Sequence, residues 1–185
     1  GPDAIINARV DNAPPKTNAK VDYGINAGTI VHWMDGGPRS FSLAGDYVWM
    51  DGGGSGEYKE FSTGIAVYDL LMELRMITDG TSKTLLFGEK YMDAAKYDTG
   101  EYCVDDQGLY FGMNCDDGMF GNRDRLPQQD TPELHLEYYW GSSHPGQWNA
   151  VMCDGSARGI GYDIDGLVFE SICSRDEGEM ADSEF

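Results

Sequence analysis

Nine residues separate His144 from Asp154 in "HPGQWNAVMCDG", and Gly155 follows the aspartate. A histidine and a carboxylate that met in space would suit general acid–base work or a metal. The residues between them read as one strand. At about 3.3 Å per residue an extended path holds the pair on the order of 30 Å apart. The expectation is therefore structural. His144-Pro145-Gly146 forms the leading turn of a hairpin strand, and Asp154-Gly155 forms its exit turn.

Other residue types that carry chemistry lack their frames. "GGGSGE" misses G-x-S-x-G because Glu57 stands where the last glycine is needed. "GSSH" sets two serines beside His144, but neighbours along a strand point to opposite faces, and no third group is marked to orient the imidazole. "ITDGTSKT" lacks the spacing of a phosphate loop, and Asp79 would repel phosphate, so a turn held by side-chain hydrogen bonds is expected. No enzyme is expected.

Metal ligands divide by metal. His32, His135 and His144 are too dispersed for zinc, and hydrogen-bonded structural histidines are the better reading. Oxygen ligands gather in two places. "CVDDQG" offers Asp105 and Asp106, while "NCDDGMFGNRD" offers Asn114, Asp116, Asp117, Asn122 and Asp124. A hard cation takes such oxygens, which makes calcium the candidate cofactor. The competing reading is a set of acidic turns. "DIDG" holds a fragment of calcium-loop spacing without the full frame.

The four cysteines form no C-x-x-C pair, so disulfides in an oxidising compartment are expected. Cys103 and Cys115 flank the acidic clusters, and bridging them would join those segments. Cys153 ends a strand before a turn, and Cys173 lies on a following helix. A helix folded over its own hairpin would bring the two together, worth roughly 3 kcal/mol in the chain-entropy account.

The elements that must position these residues are mostly short strands. Glycine punctuates the chain at 25 of 185 positions. "KVDYGI", "SFSLAGDYVWM", "KTLLFGEKYM", "GLYFGM" and "LHLEYYWGSSH" read as strands, with a flexible loop "DGGGSGE" at 51–57. "LLMELRM" alternates like a half-buried strand, although helical spacing fits as well. A long polar region covers 112–133. "WNAVMC" and "ARGIGY" pair across Asp154-Gly155-Ser156 as a hairpin. "DIDGLVFESICSRDEG" is the best helix, capped by Asp163 or Asp165. Residues 1–20 read as an extended lead-in and 180–185 as a frayed tail of a single domain. The fold class is α+β, mostly antiparallel sheet with long loops, its C-terminal helix packed on the last hairpin.

Charge narrows the partners. Thirty-two acidic residues against 13 basic ones give a net charge of −19, which excludes the basic footprint of a nucleic-acid binder. Anionic lipid surfaces are disfavoured for the same reason. No apolar run approaches membrane-spanning length, and no signal peptide is visible.

Several motifs together resemble a known family. "DYGINAGT", "ITDGTSKTLLFGEKY", "DDQGLYFG" and "GSSHPGQWNAVMCDGSARGIGYDIDGLVFESICSRDEGE" stand in the order seen in a paralogous family typical of planctomycete bacteria. Those proteins carry a prepilin-type N-terminal signal and a C-terminal H-x9-D-G motif, and they resemble type IV pilins and the major pseudopilins of type II secretion. The resemblance runs from about Val21 to Glu179. It implies a protein outside the cell or on its surface: a hydrophobic N-terminal helix followed by a sheet-rich, pilin-like head. The sequence in hand departs by lacking that helix, through which alone a membrane contact would be made. Pseudopilin heads commonly hold calcium in a head loop, so the resemblance favours calcium here without matching that loop to particular aspartates.

The leading expectation is thus a non-enzymatic structural subunit of a filament, secretion apparatus or surface layer. Its partners would be copies of itself or other envelope subunits. The alternative is an extracellular binding module for a glycan or small solute, using Trp33, Trp49, Tyr138, Tyr139, Trp140 and Trp148 as stacking surfaces. Core packing is the favoured role for those aromatics.

Overall fold

A computed structural model describes residues 20–31, 62–67, 71–99, 102–106 and 114–176. The expected strands in 40–50 and 108–113, the loop at 51–57, and His32, Trp33 and Trp49 lie outside the described residues.

The centre is a five-stranded sheet in the order β3-β1-β2-β6-β7. Its strands are β1 (Tyr23–Gly28), β2 (Leu85–Glu89), β3 (Gly118–Phe120), β6 (Gln147–Met152) and β7 (Ala157–Gly161). A two-stranded parallel ribbon pairs β4 (Gln128–Gln129) with β5 (Gly141–Ser142). Helix α1 (Gly166–Cys173) follows the sheet. All main-sheet pairings are antiparallel except β1 with β3. The protein is α+β with a mostly antiparallel sheet and a C-terminal helix, as the sequence implies.

Period-two burial explains β6. Trp148, Ala150 and Met152 face inward, while Gln147 and Asn149 face out. The β6–β7 hairpin runs in register from Gln147 opposite Gly161 to Val151 opposite Ala157. Gly155 turns the chain at φ +85°, a conformation that glycine adopts without a Cβ penalty.

Helix α1 is set at its first turn. The Asp165 carboxylate accepts from the N–H groups of Leu167 at 2.9 Å and Val168 at 3.2 Å. Its buried stripe is Phe169, Ile172 and Cys173. Phe169 meets Trp148 edge-on at 6.4 Å, and Trp148 stacks on Trp140 at 5.3 Å. Buried Asn26 ties three elements together. Its amide nitrogen donates to the carbonyls of Leu85 and Cys173, and its oxygen accepts from Gly28 N–H. Beyond the helix, buried Arg175 donates to the carbonyls of Ser62 and Gly64 and accepts on its own carbonyl from Thr78 and Asp79.

Two expected strands are corrected. "LLMELRM" contains a 3-10 turn over Leu74–Met76, with Leu71 84% and Leu74 73% exposed. Its alternation covers no core, and the backbone N–H groups of Thr78 and Asp79 bond Arg175 rather than a neighbouring strand. In "LHLEYYWGSSH" the ladder shrinks to Gly141–Ser142 plus a bridge from Trp140 to Lys90. Tyr138 there has φ +63°, and Glu133 just ahead of it φ +64°, which strand backbone cannot accommodate.

Candidate functional site

The motif residues converge on the end of β2, at Glu89 and Lys90. Alternation sends these neighbours to opposite sides. The Glu89 carboxylate accepts the Asn149 backbone N–H at 2.7 Å and the Asn149 amide at 3.2 Å. His144 Nε2 lies 3.2 Å from the same carboxylate. Glu89 thus joins β2 to β6 through side chains as well as through the ladder.

Lys90 turns inward and is 2% exposed. Its Nζ donates to the carbonyl of Val104 at 2.5 Å and to that of Asp116 at 2.9 Å. The Asp105 carboxylate stands 3.9 Å away and also takes Lys20 at 3.1 Å. Burial pushes the Lys90 ammonium below its ordinary range, against the pull of Asp105, Asp116, Asp117 and Asp22. Burial likewise pushes the Asp105 carboxyl up, against Lys90 and Lys20.

This geometry sorts the seven oxygen-bearing residues of the proposed calcium set. Asp105 by its carboxylate and Asp116 by its carbonyl face Lys90. The Asn114 side chain accepts the Asp116 N–H at 2.7 Å, and its carbonyl accepts the N–H of Gly118 at 2.9 Å, so it shapes the turn. Asp117 uses its carbonyl to accept Ile25 N–H at 2.7 Å. Asp124 lies in a separate turn closed by Asn122, and half-buried Asp106 lies in the 102–106 turn. Among the described residues no three His, Cys, Asp or Glu side chains converge as a metal cage. The cation at the centre of the two loops is the lysine ammonium.

The expected disulfides are corrected. All four cysteines are free thiols. Cys103 and Cys115 are neighbours, as the acidic-loop argument requires. However, the Cys115 thiol donates to the Cys103 carbonyl at 2.8 Å, and the Cys103 thiol turns toward Glu137 at 3.3 Å. Cys173 packs in the core against Phe169 and Gly121. Cys153 sits one residue past Met152, out of phase with the inward-facing positions of β6. Burial pushes the thiols of Cys103 and Cys115 up to about 12 and that of Cys153 up to about 11. They are poor nucleophiles at neutral pH.

His144 and Asp154 occupy opposite ends of β6 and keep different partners. The Asp154 carboxylate accepts Ser156 N–H at 2.8 Å, and its N–H bonds the Thr81 carbonyl at 2.9 Å. Hydrogen bonds from Ser156 hold that carboxyl below its ordinary range. The Ser142 hydroxyl accepts the His144 backbone N–H at 3.2 Å and pairs with the Tyr162 hydroxyl at 3.0 Å, which also reaches the His144 carbonyl at 3.0 Å. His135 lies 3.1 Å from buried Asp93.

A cleft of about 500 Å³ opens beside the Glu89–His144 clamp. Tyr23, Tyr97 and Asp130 share its wall with Glu89, Lys20 and His144. The Asp130 carboxylate accepts the Tyr97 hydroxyl at 2.5 Å and the Met92 N–H at 2.9 Å. Burial pushes Asp130 above the usual carboxylate range. Of the aromatics weighed as stacking surfaces, Trp140, Trp148 and Tyr138 are buried in the core, and Tyr139 lies under the Arg125 guanidinium at 4.3 Å.

Sequence reasoning assigned no role to Glu89, Lys90, Tyr97, Asp130 or Asn149. The available signal was "GEK": a charged pair closing an apolar strand invites the question of what compensates the lysine.

No helix among the described residues is long and apolar enough to cross a membrane. No curated protein and no solved structure matches the chain at a significant level. Residues 35–167, most of the sequence, match a family described as protein of unknown function (DUF1559), also designated SBP_bac_10, and the chain belongs to that family.

Proposed function

We propose that this chain is the head of a non-enzymatic, extracellular structural subunit, pilin- or pseudopilin-like, from a planctomycete-type family with the H-x9-D-G motif. It would serve a filament, secretion apparatus or surface layer, with copies of itself or other envelope subunits as partners. One observation carries the reading. The family-like motifs spend their polar residues on joining strands and loops: Glu89 with Asn149 and His144, Lys90 with Val104, Asp105 and Asp116. Such cross-links suit a head that keeps its shape outside the cell. The net charge of −19 adds solubility there.

A calcium ion at the 103–106 and 114–117 loops is the accompanying proposal. A melting temperature raised by calcium over chelator supports it, and an unchanged one leaves the ammonium groups of Lys90 and Lys20 as the cations facing Asp105. The subunit reading itself is tested in cells producing the full-length protein. Immunogold labelling is expected to follow filaments or an envelope layer, and fractionation to place the protein with the envelope. A freely soluble monomer would overturn it. A second reading, an extracellular binding module for a glycan or solute, draws on the cleft beside Glu89.

A further inference from the structure

We infer that the cleft beside the Glu89–His144 clamp is a binding site for a neutral saccharide. The inference rests on the binding-module reading and names its ligand class.

The charge of the cleft excludes whole classes of ligand. Asp22, Glu89, Asp105 and Asp130 line the cleft against Lys20 and Lys90. Both lysines are already turned to Asp105. Anionic ligands would meet surplus carboxylates, on a chain of net charge −19. Among the described lining residues Met92 is the one aliphatic side chain, and it is buried, so an aliphatic ligand gains little from it. No three carboxylate, thiol or imidazole groups among the described residues converge to hold a metal.

The wall presents both ring surface and polar groups. Tyr23 is 49% and Tyr97 44% exposed, so ring surface is open to the cleft side of two different segments. Tyr97 is fixed at its far end by the bond to Asp130, which orders the ring before a ligand arrives. The C–H faces of a sugar ring pack on such surfaces. Its hydroxyls need acceptors and donors on the same wall. Glu89 and Asp130 accept, exposed Ser143 and His144 supply hydrogen-bonding edges, and Asn149 holds Glu89 in place. Preorganised polar groups stand around an open volume of about 500 Å³, which matches the size of small-ligand sites. Ser143 and His144 belong to the "GSSH" stretch, which the nucleophile argument leaves idle.

The test uses the full chain on an array of neutral oligosaccharides. Calorimetry follows with the best neutral trisaccharide, and with spermidine and a sulfated oligosaccharide as comparisons. The expected result is binding of the neutral trisaccharide and none of the sulfated one. Tyr97→Ala and Tyr23→Ala are each expected to weaken it by about tenfold, with an unchanged circular dichroism spectrum. Tyr97→Phe, which keeps the ring, is expected to bind more tightly than Tyr97→Ala. Neutral-saccharide binding that survives both alanine variants overturns the site. Binding of spermidine alone overturns the saccharide and keeps a binding module. Binding of none of the three overturns both.

Discussion

Replacing Lys90 by methionine keeps most of the side-chain volume and deletes the ammonium. The structure fixes what is lost: two hydrogen bonds, to Val104 and Asp116 carbonyls, and the facing charge for Asp105. Removing one partner of a buried ion pair costs about 3–5 kcal/mol, because the other charge stays buried. Lys20, which also reaches Asp105, compensates only in part, since its own side chain is 21% exposed. At about 2–4 °C per kcal/mol for a chain of this size, the melting temperature falls by roughly 6–20 °C. Urea titration followed by circular dichroism reads the loss directly. The second arm is Lys90→Met with Asp105→Asn. With the orphaned carboxylate also gone, the double variant is expected to be more stable than Lys90→Met alone. A Lys90→Met protein within about 1 kcal/mol of the parent refutes the reasoning, because an ammonium at the centre of two loops cannot be dispensable.

Further expectations use the same geometry. Gly88 leaves no room for a side chain: a Cβ there would stand 2.2 Å from Trp148, so Gly88→Ala is expected to cost about 1–3 kcal/mol or more by urea titration. His144→Ala, on a half-exposed pair, is expected to cost under about 1 kcal/mol, and its effect on stability is expected to add to that of Asp154→Ala, whereas strong coupling would show the two acting together. Burial raises the folded-state pKa of Asp105, Asp117 and Asp130 above 3.8, so the native state holds their protons to higher pH than the unfolded chain does. Their contribution is lost as pH rises through that window, while Glu170, lowered from 4.5 by the Arg123 hydrogen bond, loses its own contribution as pH falls through its depressed value. Three raised carboxyls against one lowered one predict a melting temperature that falls as pH rises from 3.8 through the raised values, and a steady rise over that range contradicts the assignment. Thiol titration in denaturant, without reductant, is expected to find all four cysteines free and little reaction before unfolding, and fewer than four contradicts it.

What the sequence declared was local. The Asp154-Gly155-Ser156 turn and the alternation through Trp148, Ala150 and Met152 specify β6 and β7, and an aspartate two residues ahead of Leu167 marks the helix start. Those signals lie within one element or one turn. β3 escaped notice because its three residues, Gly118–Phe120, sit inside a polar stretch and find their parallel partner in β1 far away in sequence. The strand expected over 134–144 failed because residue types favoured extension while two positive-φ residues broke the path. The acidic clusters were legible as a place for a cation, but not as the place for Lys90. That side chain comes from another strand, and its arrival depends on the sheet already being formed. The same holds for the Glu89–His144 clamp, which exists only once β2 and β6 are paired. The disulfide expectation treated proximity as sufficient. Cys103 and Cys115 are near, yet their sulfur atoms point to different partners.

The central claim is that this head belongs to a surface subunit built like a pilin. The most direct measurement is the N-terminal sequence and mass of the native polypeptide purified from the cells that make it. The account predicts an apolar, helix-forming segment ahead of this head, processed at a prepilin-type site, in a protein recovered from filaments or envelope. A native polypeptide without such a segment, recovered as a free monomer, would contradict it.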